Sequence, residues 1–156
     1  MNTRLFLSVS ILFTIIFTGC ASKGNLASKE VSESTKLFSQ PKEGYSGIYI
    51  YRDSILGGAL KKDLFINDKF IAESSPKMFF YEEVEGDKEH KFSTESEFSP
   101  NDLFLKTGKN KIYFIRQYIK MGAFVGGANL EVVDEETGKK AILDSSMELG
   151  NTIKYK

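Results

Sequence analysis

Two residue types that often carry chemistry occur once each in this chain, histidine at His90 and cysteine at Cys20. A zinc-type centre needs three or four such ligands, so no metal site is expected. The sequence contains no Gly-x-Ser-x-Gly elbow, phosphate-binding Walker loop or His-Glu-x-x-His pair. His90 stands in an alternating run beside Phe92 and reads as a packing histidine. Asp134, Glu135 and Glu136 lack the ligand spacing and terminal glutamate of an EF-hand calcium loop, and read as a solvated turn. Glu82, Glu83 and Glu85 offer carboxylates of the kind glycoside hydrolysis uses, but no partner site can be named for them. The expectation is a non-enzyme without cofactor.

Binding is better supplied. Beyond Arg4, the only arginines among 21 basic residues are Arg52 and Arg116. Each closes an apolar run and precedes a glycine-rich loop, Ser54–Leu60 with Gly57 and Gly58, and 121–128 with Gly126 and Gly127. The planar guanidinium suits bidentate contacts to carboxylate or phosphate. Either each arginine pairs with a nearby acid such as Asp53 or Glu131 and holds its loop, or the two reach one end of the fold and bind an anionic group. The second requires their strands to run the same way. The loops have two readings as well. Ile55, Leu56, Phe124 and Val125 fold inward at bulged corners, or they stay outside as an apolar patch for a partner or membrane. The candidate binding residues are Arg52, Gly57, Gly58, Arg116, Phe124, Gly126 and Gly127.

The elements that must position these residues follow a distinctive start, MNTRLFLSVSILFTIIFTGC. Arg4 precedes an apolar core, Leu5–Phe17, and small residues lead to Cys20. From Leu5 to Gly19 is 15 residues, short of the roughly 20 that a membrane span needs. Residues 1–19 therefore read as a secretory signal. The Thr-Gly-Cys end resembles the lipobox of bacterial lipoproteins. That resemblance implies cleavage before Cys20, acylation of Cys20 and attachment to a membrane of the cell envelope. With Ala21 in place of aspartate, it implies the outer membrane where the cell has two.

Of 156 residues, removal of 19 leaves 137, enough for one domain. Its charge is about −1, with no basic stripe, so nucleic acid is not an expected partner. With Cys20 acylated there is no disulfide, and the core must come from packing, for which 13 Phe and 7 Tyr are available. Residues 20–44 are rich in Ser, Lys and Glu and read as a flexible linker, Phe38 being the one aromatic. A helix over Lys29–Leu37 would be marginal alone, and a coil of this length would span about 27 Å.

From Tyr45 the pattern turns to period two. Ile48 and Ile50 alternate with Tyr49 and Tyr51, and Asn67-Asp68 separates two strand-like runs as a hairpin turn. Further strands are predicted over Lys77–Val84, Glu89–Glu95, Leu103–Leu105, Lys111–Ile119 (central in its sheet), Asn129–Asp134 and Lys140–Leu143, the last two joined by a polar turn ending at Gly138. The order of FINDKFIAE, FFYEEVEGDKEHKFSTES, KTGKNKIYFIRQ and GGANLEVVDEETGKK resembles the DUF2846 family over residues 45–144. These are small bacterial domains, often lipoproteins, without assigned function. The family implies a transthyretin-like or peptidase-regulatory-like sandwich and no activity to transfer.

The expected fold is thus an all-β antiparallel β-sandwich of seven to nine short strands over residues 45–156. Ile48, Ile50, Phe92, Ile112, Phe114 and Leu130 are its expected core. The expected function is that of a non-enzymatic envelope lipoprotein docking a protein or cell-wall partner. The alternative is a small-ligand binder with a pocket near the glycine-rich loops. A cavity of several hundred Å³ there would mark the second, and an exposed apolar patch the first.

Overall fold

The computed structural model describes residues 25–95, 101–120 and 126–154. Residues 1–19, expected to be a signal, together with Cys20, Phe124 and Val125, lie outside these residues. In chain order the elements are α1 (Lys29–Thr35), β1 (Tyr45–Arg52), β2 (Lys62–Ile66), β3 (Lys69–Ser74), β4 (Met78–Glu85), β5 (Glu89–Thr94), β6 (Asn101–Lys106), β7 (Ile112–Lys120), β8 (Gly127–Val133), α2 (Glu135–Ile142) and β9 (Glu148–Leu149). The strands form two sheets, ordered β8-β7-β1-β4-β9 and β3-β2-β5-β6. The sandwich is all-β in its core, with nine strands among the described residues.

Two pairings are parallel, β1 with β7 and β4 with β9, and the rest are antiparallel. β1 holds the middle of the larger sheet, and β7, expected to be central, lies beside it. The hairpin at Asn67-Asp68 forms as its turn chemistry dictates, both residues having φ near +50 to +63°. Opposite the sheet edges at β3 and β9, the sandwich closes where Ala128 N donates to Glu95 O at 3.0 Å. Gln117, fully buried on β7, links the sheets by donating to Thr94 Oγ1 at 2.7 Å and accepting from Ser74.

The larger sheet is buried on both faces, which is why β1 is apolar on both. Its inner face packs Ile48, Ile50, Phe80, Ile115 and Leu130 against Leu64 and Phe92 of the other sheet. Its outer face holds Tyr49, Tyr51, Phe79 and Phe114 under Ile142 and Met147. Of the six expected core residues, Ile112 is half-buried and the others are buried.

Two expectations are corrected. Residues 25–44 are not a flexible linker but the cover of the outer face. Leu26 bridges Gly150, Leu149 N donates to Ser32 Oγ at 3.2 Å, and the Tyr49 hydroxyl donates to Thr35 O at 2.8 Å. The Phe38 ring then seats 5.2 Å from Tyr49 and 5.8 Å from Phe114. A seven-residue helix too short to stand alone is held by these tertiary contacts. The second correction is at Lys140–Leu143, where helix α2 replaces the expected strand. Asp134 caps it by accepting from Thr137 N at 2.8 Å, with Glu135 and Glu136 in the first turn and Lys139 and Lys140 in the last. No helix among the described residues is long and apolar enough to cross a membrane.

The two ends of the sandwich differ. One is knit by backbone bonds between turns: Gly86 N to Gly44 O at 2.9 Å, Asn110 N to Tyr45 O at 2.7 Å and Thr107 N to Lys88 O at 2.9 Å. The other carries the Ser54–Leu60 loop and the chain at Gly126.

Candidate functional site

Because β1 and β7 are parallel, with Tyr51 level with Arg116, Arg52 and Arg116 reach the same end of the sandwich. Side chains alternate along a strand, so Arg52, one residue after Tyr51, projects to the opposite face from Arg116. The two guanidiniums therefore do not converge on one ligand.

Arg52 is fully buried and serves its loop. Its Nη1 donates to Leu60 O at 2.7 Å, and its Nη2 donates to Leu56 O at 3.0 Å and Gly57 O at 2.8 Å. It meets these carbonyls instead of a carboxylate, and burial lowers its pKa from the ordinary arginine value. Gly57 lies at φ +66°, and a Cβ there would stand 3.1 Å from Leu60 Cδ1 and 3.3 Å from Ile119. A Cβ on Gly126 would meet the same two side chains, at 2.6 and 3.2 Å. The two glycine-rich segments thus close on the same two apolar side chains, Leu60 and Ile119. Gly58 meets only the carbonyl of Ile55, and Gly127 opens β8 opposite Lys120.

The inward reading of the loop does not hold at its tip. Ile55 is 74% exposed and Leu56 52% exposed. Leu56 N bonds Ser54 Oγ at 3.0 Å while Arg52 grips the carbonyls behind it. Two aliphatic side chains are held out on a fixed backbone.

Arg116 lies on the outer face, 3.0 Å from Asp53 through Nε and 3.3 Å from Glu131 through Nη1. These are the two acids singled out from the sequence. The hydrogen bond to Asp53, ahead of that to Glu131, raises its pKa. Beside it a cleft of about 640 Å³ is lined by Tyr51, Lys77, Lys140 and Asp144. The buried Tyr51 hydroxyl has no partner there, and its pKa is pushed up to about 12, by burial first and then by Asp53. Sequence reasoning missed this cleft because Lys140 reaches it only as part of α2.

A second cleft, of about 520 Å³, opens between β3 and β4 and includes His90. Asn67 Nδ2 donates to His90 Nδ1 at 3.0 Å, and His90 Nε2 donates to Glu85 O at 2.8 Å. Lys91 N donates to Asn67 Oδ1 at 3.1 Å, which orients the amide and so fixes the neutral tautomer. Burial, and then Lys88, lower the pKa of His90. With both nitrogens engaged, this histidine is structural. Glu82 pairs with Lys154 at 2.6 Å, Glu83 accepts from Tyr81 at 3.0 Å, and Glu85 pairs with Lys88, so each carboxylate has its own partner. Among the described residues, no group of three or more His, Cys, Asp or Glu could hold a metal ion.

A family model described as "Protein of unknown function (DUF2846)" matches residues 42–128. A protein of Haemophilus influenzae, itself described only as uncharacterized, is 54% identical over 144 residues, covering 92% of this chain and 85% of the relative. No solved structure matches.

Proposed function

The chain belongs to the DUF2846 family, and on that premise we propose that it is a non-enzymatic lipoprotein of the bacterial cell envelope, anchored through Cys20, whose sandwich docks a protein or cell-wall partner. The observation that carries the docking role is the exposed pair Ile55 and Leu56 on a loop gripped by Arg52. A partner that buries an aliphatic side chain gains about 1.5–3 kcal/mol from it. A loop already ordered spares the partner part of the entropy cost of binding. The anchor reading rests on residues 1–20. One acyl chain holds a protein only marginally, with K on the order of 10⁴ M⁻¹, and the acylation of a bacterial lipoprotein supplies more than one. In a cell with two membranes the outer membrane is the proposed site.

The ligand-binding alternative has its best support at the cleft beside Arg116, where the Tyr51 hydroxyl lacks a partner. Crosslinking in intact envelopes tests the docking reading. A photoreactive side chain at position 55 should give a discrete crosslinked species, suppressed in competition by an excess of the unsubstituted domain and not by the domain carrying Ile55→Asp and Leu56→Asp.

A further inference from the structure

We propose that the domain lies against a lipid surface by its knit end, around Gly44, Gly86 and Asn110, and so carries Ile55 and Leu56 away from the membrane. This rests on the acylation of Cys20 proposed above.

Asn25, the first described residue, is held on the sheet a few residues after Cys20. Four residues, 21–24, separate Cys20 from Asn25, so the five steps of the tether reach at most about 18 Å, at 3.3–3.6 Å per step. That is shorter than β1, whose eight residues extend about 26 Å at roughly 3.3 Å each. A tether shorter than the sandwich cannot leave it free to present any side to the membrane.

The direction of exit is also fixed. Met78 and Phe79 lie level with Glu148 and Leu149, and Gly150 N donates to Phe79 O at 2.8 Å. Leu26 bridges Gly150 in antiparallel sense. Asn151 N donates to Asn25 O at 2.8 Å, and the Asn151 side chain donates to Asn25 Oδ1 at 3.0 Å. Asn25 is therefore level with Tyr81, and the chain traced from Ala27 back to Asn25 runs from the Met78 end of β4 toward the Glu85 end. Arg52 pairs with Met78 and Tyr45 with Glu85, so this course leads away from the Ile55 loop and toward the knit end. From the level of Tyr81 to that of Glu85 is about 13 Å, within reach. To place the loop tip at the lipid, the tether would have to reverse at once and run past the whole loop.

Attraction does not by itself select this end. Lys42, Lys88 and Lys109 lie there beside Glu43, Glu85 and Asp87, so the charges nearly cancel. Ile153, 50% exposed on the same side, adds an apolar contact. The tether sets the orientation, which leaves the Ile55 tip free for a partner.

The test uses full-length acylated protein carrying one added cysteine, K109C, I153C or I55C, labelled with a fluorophore. Cys20 is consumed by the lipid, so the added thiol is unique. The protein is placed in vesicles of phosphatidylethanolamine and phosphatidylglycerol containing a nitroxide-headgroup lipid, after circular dichroism has shown each variant folded. Fluorescence should be lost at positions 109 and 153 and retained at 55. Loss at 55, or equal loss at all three, overturns the proposal. The mass of the same preparation keeps the two readings apart, since an unacylated Cys20 defeats the lipoprotein reading itself. A flexible Gly-Ser spacer between Ser22 and Lys23 should abolish the contrast, and a contrast that survives it overturns the tether as the cause.

Discussion

A Cβ added to Gly138 would stand 2.3 Å from Cγ of Phe114. Helix α2 therefore lies on β7 as closely as a residue without a side chain permits. Phe114 in turn stacks on Tyr49 at 5.3 Å and meets Phe38 edge-on, so the helix, the central strands and the N-terminal segment share one aromatic contact.

Two effects oppose each other in Gly138→Ala. Helix propensity favours alanine by about 1 kcal/mol. Overpacking against a ring with no room to move costs about 1–3 kcal/mol. The clash should win, and thermal unfolding should show a lower Tm. A raised Tm would mean that α2 can lift away from β7.

Much of this fold is legible in the sequence where the signal is local. Asn67-Asp68 specifies its turn within two residues, and alternation along Tyr45–Arg52 and Glu89–Thr94 marks strands. What the sequence does not display is contact made at a distance. Residues 25–44 look like a linker because Phe38 is their sole aromatic, and its value appears only against Tyr49 and Phe114. Gly138 looks like a turn residue because a glycine inside a helix makes sense only once Phe114 lies beneath it. The candidate site was legible in the same degree. The arginines and both of Arg116's acids could be named, but the opposite faces of Arg52 and Arg116 required the strand pairing.

The two arginines should separate on substitution to lysine. Arg52→Lys replaces a buried fork that reaches three carbonyls with one ammonium, and hydrogen bonds to a charged group are worth about 1.5–3 kcal/mol each. Arg116 is 37% exposed at its side chain, where ion pairs contribute about 0–1 kcal/mol. Urea unfolding should give a loss of about 1.5–3 kcal/mol for Arg52→Lys and less than about 1 kcal/mol for Arg116→Lys. Equal losses would contradict the clamp.

His90 makes stability depend on pH. Its folded pKa is lowered, so as pH falls below the ordinary value of about 6.5 the unfolded chain takes up the proton first. Stability contributed by the neutral ring is complete above that value. It is lost on acidification, with a slope of at most about 1.4 kcal/mol per pH unit. Tm should fall between pH 7.5 and 5.5 by more in the wild type than in His90→Gln. The same pH dependence in both would show that the Asn67–His90–Glu85 chain does not hold the ring neutral.

The docking role is tested most directly at position 55. With a photoreactive side chain there, illumination of intact cells should give one discrete crosslinked species, while the same side chain at Glu136 on α2 gives none. An excess of the domain added to permeabilised envelopes should suppress that species, and the domain carrying Ile55→Asp and Leu56→Asp, with unchanged Tm, should not. No crosslink at 55, or equal competition by the doubly substituted domain, would contradict a partner site at this loop.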